Sequence, residues 1–248
     1  MTLPIQNPES AGAADRARIA ETFVSLQGEG KLTGVPSWFV RFSGCNLRCT
    51  WCDTPYASWS PEGAMRTVDE LAKEAQAAGV GHAVVTGGEP MLFPAAIALC
   101  ERLRENRMHI TIETAGTIAR PVACDLMSIS PKLSNSTPAP GDARDASGTW
   151  RSRHEERRVN IEVLQALIDA HPQRQLKFVV AGEPDLAEID TLLAGLRGWT
   201  NGDVLLMPEG VTTPSRERTD WLVGVCMSRG WRYCQRLHIE LFGNKRGT

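Results

Sequence analysis

No stretch of the 248-residue sequence comes near 18 consecutive apolar residues, so nothing in it reads as a membrane-spanning helix. The N-terminal stretch MTLPIQNPESAGAADRARIA also lacks a basic region followed by an apolar run, the pattern of a secretory signal, and a soluble cytoplasmic protein is expected. An excess of one charge is missing as well. The 27 Lys and Arg stand against 29 Asp and Glu, a net charge of -2, too little to attract a phosphate backbone or an anionic lipid surface. Neither nucleic acid nor a membrane is expected as a partner. The seven cysteines are an odd number without even spacing, which excludes the disulfide framework of a small extracellular domain and leaves metal or redox chemistry.

What is present is an ordinary globular composition, 42% hydrophobic and 23% charged, at a length that fits one barrel-type or doubly wound domain or at most two small ones. A chain of this size buries roughly 70 to 75% of its unfolded surface and builds a large core without disulfides. Residues 1 to 17 are rich in Ala, Pro, Asn, Gly and Ser without periodicity and are expected to be a flexible tail, with one domain over 18 to 248. From Arg18 onward, short apolar runs alternate with helical patterns. RIAETFV, SWFVRF, HAVVT, HITIE, LMSIS, QLKFVV, DVLLM and WRYCQRL read as strands, several apolar on both faces.

The intervening helices have legible ends. Thr67 and Glu70 form a capping box before DELAKEAQAA, which Gly79 closes. Pro94 and Pro184 open two more, Thr213 with Pro214 opens SRERTDWLVGVCMSRG, and VNIEVLQALIDAH is helical as well. Such strand–helix repetition implies an α/β fold, parallel strands with outer helices in a barrel or partial barrel, and chemistry at the C-terminal strand ends. Residues 53 to 66 and the long polar stretch 131 to 158 are expected to be loops, the second long enough to act as a lid.

The strongest chemical signal is Cys45-Asn-Leu-Arg-Cys49-Thr-Trp-Cys52, a C-x3-C-x2-C triplet directly after a strand, in a loop over 44 to 60. Three thiolates on one short loop can share a soft metal centre, yet structural zinc and cubane iron–sulfur clusters ordinarily take four protein ligands. An iron left without its fourth protein ligand can bind a cofactor. Cys100, Cys124, Cys226 and Cys234 lie in helical or strand patterns and read as buried apolar thiols.

This spacing, with Trp51 before the last cysteine, resembles the radical S-adenosylmethionine superfamily, and Thr86-Gly87-Gly88-Glu89-Pro90 after the apolar strand HAVV matches a second of its motifs. The resemblance implies a partial (β/α) barrel in which Cys45, Cys49 and Cys52 hold a four-iron four-sulfur cluster, and S-adenosylmethionine chelates the open iron. Within the superfamily, the 7-carboxy-7-deazaguanine synthases are the family that the chain resembles. The matching segments are Ser25-Leu26-Gln27-Gly28-Glu29-Gly30, Gly34-Val35-Pro36, Phe39-Val40-Arg41, Cys52-Asp53-Thr54, Glu113-Thr114-Ala115-Gly116-Thr117 and Ser128-Ile129-Ser130-Pro131-Lys132, with weaker matches at Met207-Pro208-Glu209 and residues 243 to 247.

The activity implied is a carbon–nitrogen lyase reaction of queuosine and 7-deazapurine biosynthesis. 6-Carboxy-5,6,7,8-tetrahydropterin becomes 7-carboxy-7-deazaguanine with loss of ammonia, started by a 5′-deoxyadenosyl radical that takes the hydrogen at C6. Mg2+, a flavodoxin or ferredoxin as reductant, and a homodimer are implied with it. By the same resemblance Thr54 is the magnesium ligand. Trp51, Cys52, Asp53, Gly88, Glu89, Ser130, Pro131, Lys132, Met207 and Glu209 contact S-adenosylmethionine, although relatives often carry Gln in place of Met207. Leu26, Gln27 and Gly28 face the pterin with Thr86, and His238 resembles a substrate-side histidine. Arg41 suits the substrate carboxylate, because its planar fork bonds carboxylates at two points. Glu113, with Glu29 second, suits the amino-pyrimidinone edge, whose adjacent N–H donors match a carboxylate.

Three other readings remain. Arg151, Arg153, Arg157 and Arg158, interleaved with Glu155 and Glu156, form either a solvated helix start or a dock for the reductant. A glycyl-radical-enzyme activase shares the cysteine and glycine motifs. A non-enzymatic iron–sulfur carrier or metal-binding module needs only the cysteines.

Overall fold

The computed structural model describes residues 14–248. Its centre is a nine-stranded sheet in the order β3-β1-β2-β4-β5-β6-β7-β8-β9. The strands are β1 (Arg16–Leu26), β2 (Pro36–Phe42), β3 (Ala64–Thr67), β4 (His82–Gly87), β5 (His109–Thr114), β6 (Leu126–Ile129), β7 (Arg174–Val180), β8 (Val204–Pro208) and β9 (Arg232–Tyr233). The run from β2 through β4 to β9 is parallel. No ladder joins β3 to β9, so the sheet stays open as a partial barrel. The outer helices are α1 (Val68–Ala77), α2 (Pro94–Glu105), α3 (Thr149–Arg157), α4 (Ile161–Ala170), α5 (Pro184–Ala194), α6 (Arg216–Arg229) and the short α7 (Leu237–Phe242). Among the described residues no helix is long and apolar enough to cross a membrane.

Several expectations need correction. The first strand begins at Arg16, two residues earlier than expected, and the tail expected over 1 to 17 lies outside the described residues through residue 13. β1 pairs antiparallel with β2, because a turn closed by Gln27 N–H to Val35 O (2.8 Å) and Gly34 N–H to Gln27 O (2.7 Å) is too short for the crossover a parallel pair needs. Residues 53 to 66 are not all loop: β3 adds to the outer edge of β1. The segment 131 to 158 contains α3, whose first-turn amides of Trp150 (3.0 Å) and Arg151 (2.7 Å) donate to the buried Asp145 carboxylate. That cap replaces the apolar stripe by which a sequence reader finds a helix. The run WRYCQRL supplies only two paired residues before turning into α7. Ser215, not Thr213, caps α6, accepting from Arg218 N–H at 3.2 Å. The capping box at Thr67 and Glu70 is present, and Gly79, beyond α1, takes φ +71°.

The period of two along each strand separates core from site. Trp38, Val40 and Phe42 of β2, Ala83 and Val85 of β4, Ile110 and Ile112 of β5, Met127 and Ile129 of β6, and Leu176, Phe178 and Val180 of β7 join one core with Leu99, Leu103, Leu167 and Ile189 of the helices. The alternate residues Arg41, Thr86, Glu113, Ser128, Lys177 and Met207 line a cavity on the other face. Cys100 and Cys226 sit in the outer core as expected, Cys124 is only half-buried, and Cys234 is buried on the inner face with Val179, Leu205 and Met207.

Candidate functional site

The cavity has a volume of about 820 Å³ and opens at the C-terminal strand ends. Cys45, Cys49 and Cys52 all line it. Their loop is shaped by its own backbone: Leu47 N–H points at Cys45 Sγ (3.4 Å), Cys52 N–H donates to Cys49 O (3.3 Å), and Ser58 Oγ lies 3.2 Å from Cys52 Sγ. Burial, with Cys49 and Glu89 nearby, pushes the Cys45 thiol well above its ordinary range, and burial lifts Cys49 to about 12 against the pull of Lys132. A bound cationic centre offsets such a penalty by stabilising the thiolates. Among the described residues no three His, Cys, Asp or Glu side chains converge closely enough to hold a single ion. Three thiols that face one cavity without meeting at a point fit a polynuclear iron–sulfur centre, where each takes a different iron, better than mononuclear zinc.

The glycine turn packs onto this loop. Gly88 N–H donates to Phe42 O (2.9 Å) and Glu89 N–H to Gly44 O (2.9 Å). A Cβ on Gly88 would stand 2.3 Å from Gly44 O and 2.5 Å from Ala57 O, so only glycine fits there. Glu89 does not line the cavity: it is fully buried, and its carboxylate accepts from Thr114 Oγ1 (2.9 and 3.0 Å), Ala115 N–H (2.8 Å) and Met91 N–H (3.0 Å). It organises the turn instead of facing a ligand. Pro131 is buried and also off the cavity surface, between Ser130 and Lys132, which line it. Lys132 Nζ donates to Ser130 O (2.6 Å) and Oγ (2.8 Å).

Every other site residue expected from the sequence lines the cavity. Gln27 Nε2 and Thr86 Oγ1 donate to the two oxygens of Glu113, at 3.1 and 2.9 Å. Arg41 Nε donates to Glu21 Oε1 at 2.8 Å, and its two Nη groups have no hydrogen-bond partner among the described residues. The Tyr56 hydroxyl donates to the same Glu21 oxygen at 2.7 Å. Thr54 Oγ1 lies 3.8 Å from Cys52 Sγ. Trp51 packs on Val179, Leu205 and Met207 while its Nε1–H donates to Asn135 O at 3.1 Å. The ring of His238 faces Gly28 so closely that a Cβ on Gly28 would stand 2.0 Å from Nδ1. Glu209 N–H donates to Val180 O at 2.9 Å.

Sequence reasoning missed a chain of charges. Glu29 pairs with Lys177 of β7 and with Arg236 Nε (3.0 Å), and Arg236 pairs in turn with Asp53 and donates to Gly210 O. Burial alone would raise the Glu29 carboxyl, but Lys177 and Arg236 hold it well below the usual carboxylate range. Burial likewise opposes the charge on Lys177, and Glu29 with Glu113 keeps that ammonium protonated. One signal for Lys177 was available, a lone charge in the apolar strand QLKFVV; Arg236 gave none. Residues 244 to 248 also reach the cavity, where Arg246 bonds Glu21 (3.2 Å), Glu62 (2.9 Å) and Ala20 O (2.9 Å) and stacks 4.1 Å above the Tyr56 ring.

The family model described as the radical SAM superfamily matches residues 39–132. A 7-carboxy-7-deazaguanine synthase of Rhodopirellula baltica is 45% identical over 245 residues, 98% of this chain and 93% of that protein. One from Halobacterium salinarum is 45% identical over 233 residues, covering 91% and 90%. The crystal structure of QueE from Escherichia coli superposes with a TM-score of 0.68 at 26% identity, over 90% of this chain and 95% of that one.

Proposed function

The chain belongs to the 7-carboxy-7-deazaguanine synthase family of radical S-adenosylmethionine enzymes, and from that premise we propose that its cavity converts 6-carboxy-5,6,7,8-tetrahydropterin to 7-carboxy-7-deazaguanine with release of ammonia. The observation that carries this reading is the placement of Gln27, Arg41, Thr86 and Glu113 in the same cavity as the three thiols. An electron carrier would need the thiols but no polar cradle beside them, and an activase would need a groove for a partner chain.

When bound, the four-iron four-sulfur cluster and S-adenosylmethionine supply the radical that takes a hydrogen atom from the substrate. The chain binds, orients and excludes water. Cys45, Cys49 and Cys52 hold the cluster; Trp51, Asp53, Gly88, Ser130, Lys132, Met207 and Glu209 form the wall for S-adenosylmethionine. Met207 offers an apolar side chain and a backbone, so its contact is through carbonyl or packing.

With Nε fixed by Glu21, the Nη fork of Arg41 is left for the substrate carboxylate. Glu113 spends one acceptor site of each oxygen on Gln27 and Thr86 and keeps the others for the N–H donors of the pyrimidinone. Leu26, Gly28 and His238 complete that wall. Glu29, already engaged by two cations, sets its potential instead of reading the ring. Mg2+ is assigned to Thr54, beside Asp53, with water and substrate oxygens completing a shell that takes few protein ligands. A low-potential flavodoxin or ferredoxin delivers the electron, the protein works in the cytoplasm, and it acts as a homodimer, as the family resemblance implies.

The test is anaerobic reconstitution with iron and sulfide, reduction, and incubation with S-adenosylmethionine, Mg2+ and the carboxytetrahydropterin, followed by mass spectrometry. 7-Carboxy-7-deazaguanine and one ammonia per turnover are expected. 5′-Deoxyadenosine without that product would overturn the substrate assignment, and no 5′-deoxyadenosine at all would overturn the radical chemistry.

A further inference from the structure

The polar segment 134 to 158 touches the cysteine loop at Arg48, Thr50 and Trp51. Arg48 N–H donates to His154 Nδ1 of α3 at 3.1 Å. Thr50 N–H donates to Ser136 O (2.8 Å), and Arg144 Nη2 donates to Thr50 O (3.1 Å). The Arg48 guanidinium lies 3.8 Å from the centre of the Trp150 ring and donates through Nη1 to Cys45 O and Leu47 O, both at 2.7 Å. Arg144 in turn stacks 4.3 Å from Trp59, whose Nε1–H donates to Cys49 O at 2.9 Å.

His154 is fully buried, and its tautomer follows from its partners. A backbone N–H can only donate, so Nδ1 is the acceptor and Nε2 carries the proton. That Nε2 bonds Ser136 Oγ at 2.9 Å, and the Ser136 hydroxyl donates onward to Leu133 O at 2.6 Å. The imidazole therefore satisfies the Arg48 amide, directly before Cys49, and links it to the segment that also holds Thr50. An amide left unpaired there would favour a rearranged loop.

We infer that residues 134 to 158 act as a clasp that sets the placement of the three thiols before any metal is bound, with His154 as the positioning residue at its centre. The inference rests on the proposed role of the thiols as cluster ligands, yet its test needs no cluster. Amide hydrogen exchange of residues 45 to 52 is measured in the metal-free protein for His154→Asn and His154→Gln. Asn offers an acceptor where Nδ1 lies; Gln reaches the Nε2 position and abandons Arg48. Loop exchange is expected to rise roughly tenfold in H154Q, the size of one lost buried hydrogen bond, and to stay within about twofold of the parent in H154N. The same ordering is expected for loss of iron to a chelator after anaerobic reconstitution.

Equal loop exchange in all three proteins would overturn the inference, as would faster exchange spread evenly over the core strands, which marks a residue that only stabilises the fold. If H154Q does not fold, Trp150→Leu, which removes the stack on Arg48 at a half-buried site, carries the test: roughly threefold faster loop exchange supports the clasp, and unchanged exchange overturns it. A failed product assay with a protected loop would sink the proposed reaction and leave the clasp standing.

Discussion

Replacing Lys177 by Met removes the cation that faces Glu29 from β7 while keeping the length and the apolar stem of the side chain. Lys177 is 7% exposed and Glu29 14%, so the pair is nearly desolvated. Removing one partner of a buried ion pair commonly costs 3 to 5 kcal/mol, because the other charge stays buried and uncompensated. Two features reduce that figure here. Arg236 still reaches Glu29, with Nε 3.0 Å from Oε1, and the pair borders a cavity that admits water. A loss of about 2 kcal/mol is therefore expected, which at this length lowers Tm by roughly 4 to 8 °C.

The assay is thermal unfolding of the metal-free protein at pH 7, with K177M, E29Q and the double variant compared. Because the two groups share one interaction, the double variant should lose less than the sum of the singles, with a coupling of about 1 to 2 kcal/mol. The pH dependence has a definite sign. Glu29 is held below its unfolded value, so its contribution is complete above the unfolded carboxylate range and is lost as the pH falls. K177M should flatten that acid-side loss. A K177M protein with the parent Tm, or strictly additive singles, would refute the description of Glu29, Lys177 and Arg236 as one coupled group.

Thr54→Ala should slow turnover and weaken its dependence on Mg2+ while sparing the colour and iron content of the cluster; unaltered magnesium-dependent activity would remove the assignment. Gly88→Ala should prevent cluster incorporation, since its Cβ meets two backbone carbonyls at 2.3 and 2.5 Å, and iron content after reconstitution reads the result. His82, buried between Ser37 (2.7 Å) and Thr111 (2.8 Å), has its pKa held by burial and by His109 down to about 4. The unfolded chain then binds the proton first, so His82 should contribute about 2 kcal/mol to the fall in stability between pH 7 and pH 5 in urea titrations, and His82→Gln should remove that share while the loss from the buried His154 remains.

The outer architecture was legible because it obeys short-range rules. Thr67 with Glu70, and Pro94 and Pro184, announce helix starts through chemistry contained within a few residues. The antiparallel β1, the short edge strand β3 and α3 were not legible, because each is held by distant partners. β3 exists through its ladder from Arg16 to Thr67, and α3 through the Asp145 carboxylate and a single buried histidine. Cys45, Cys49 and Cys52 could be found from spacing alone, since one loop supplies all three.

The polar face of the sheet could be found only in part, for a reason that lies in the pleat. A strand whose two faces meet core and cavity shows one polar residue in an apolar run, as in QLKFVV, and that residue is as consistent with a strand end as with a ligand site. What decides is the register across neighbours. Thr86 lies beside Arg41 across the β2–β4 ladder, and Ser128 beside Glu113 across β5–β6. Each polar residue is thus one tooth of a comb that runs across parallel strands, and parallel pairing is set by crossovers that no local pattern encodes. Arg236 lies beyond that comb, on a turn after β9, and reaches Glu29 and Asp53 from the open edge of the sheet. The open barrel gains its last charged wall from the chain that leaves it, so the residue that ties Glu29 to Asp53 comes late in sequence and carries no motif of its own.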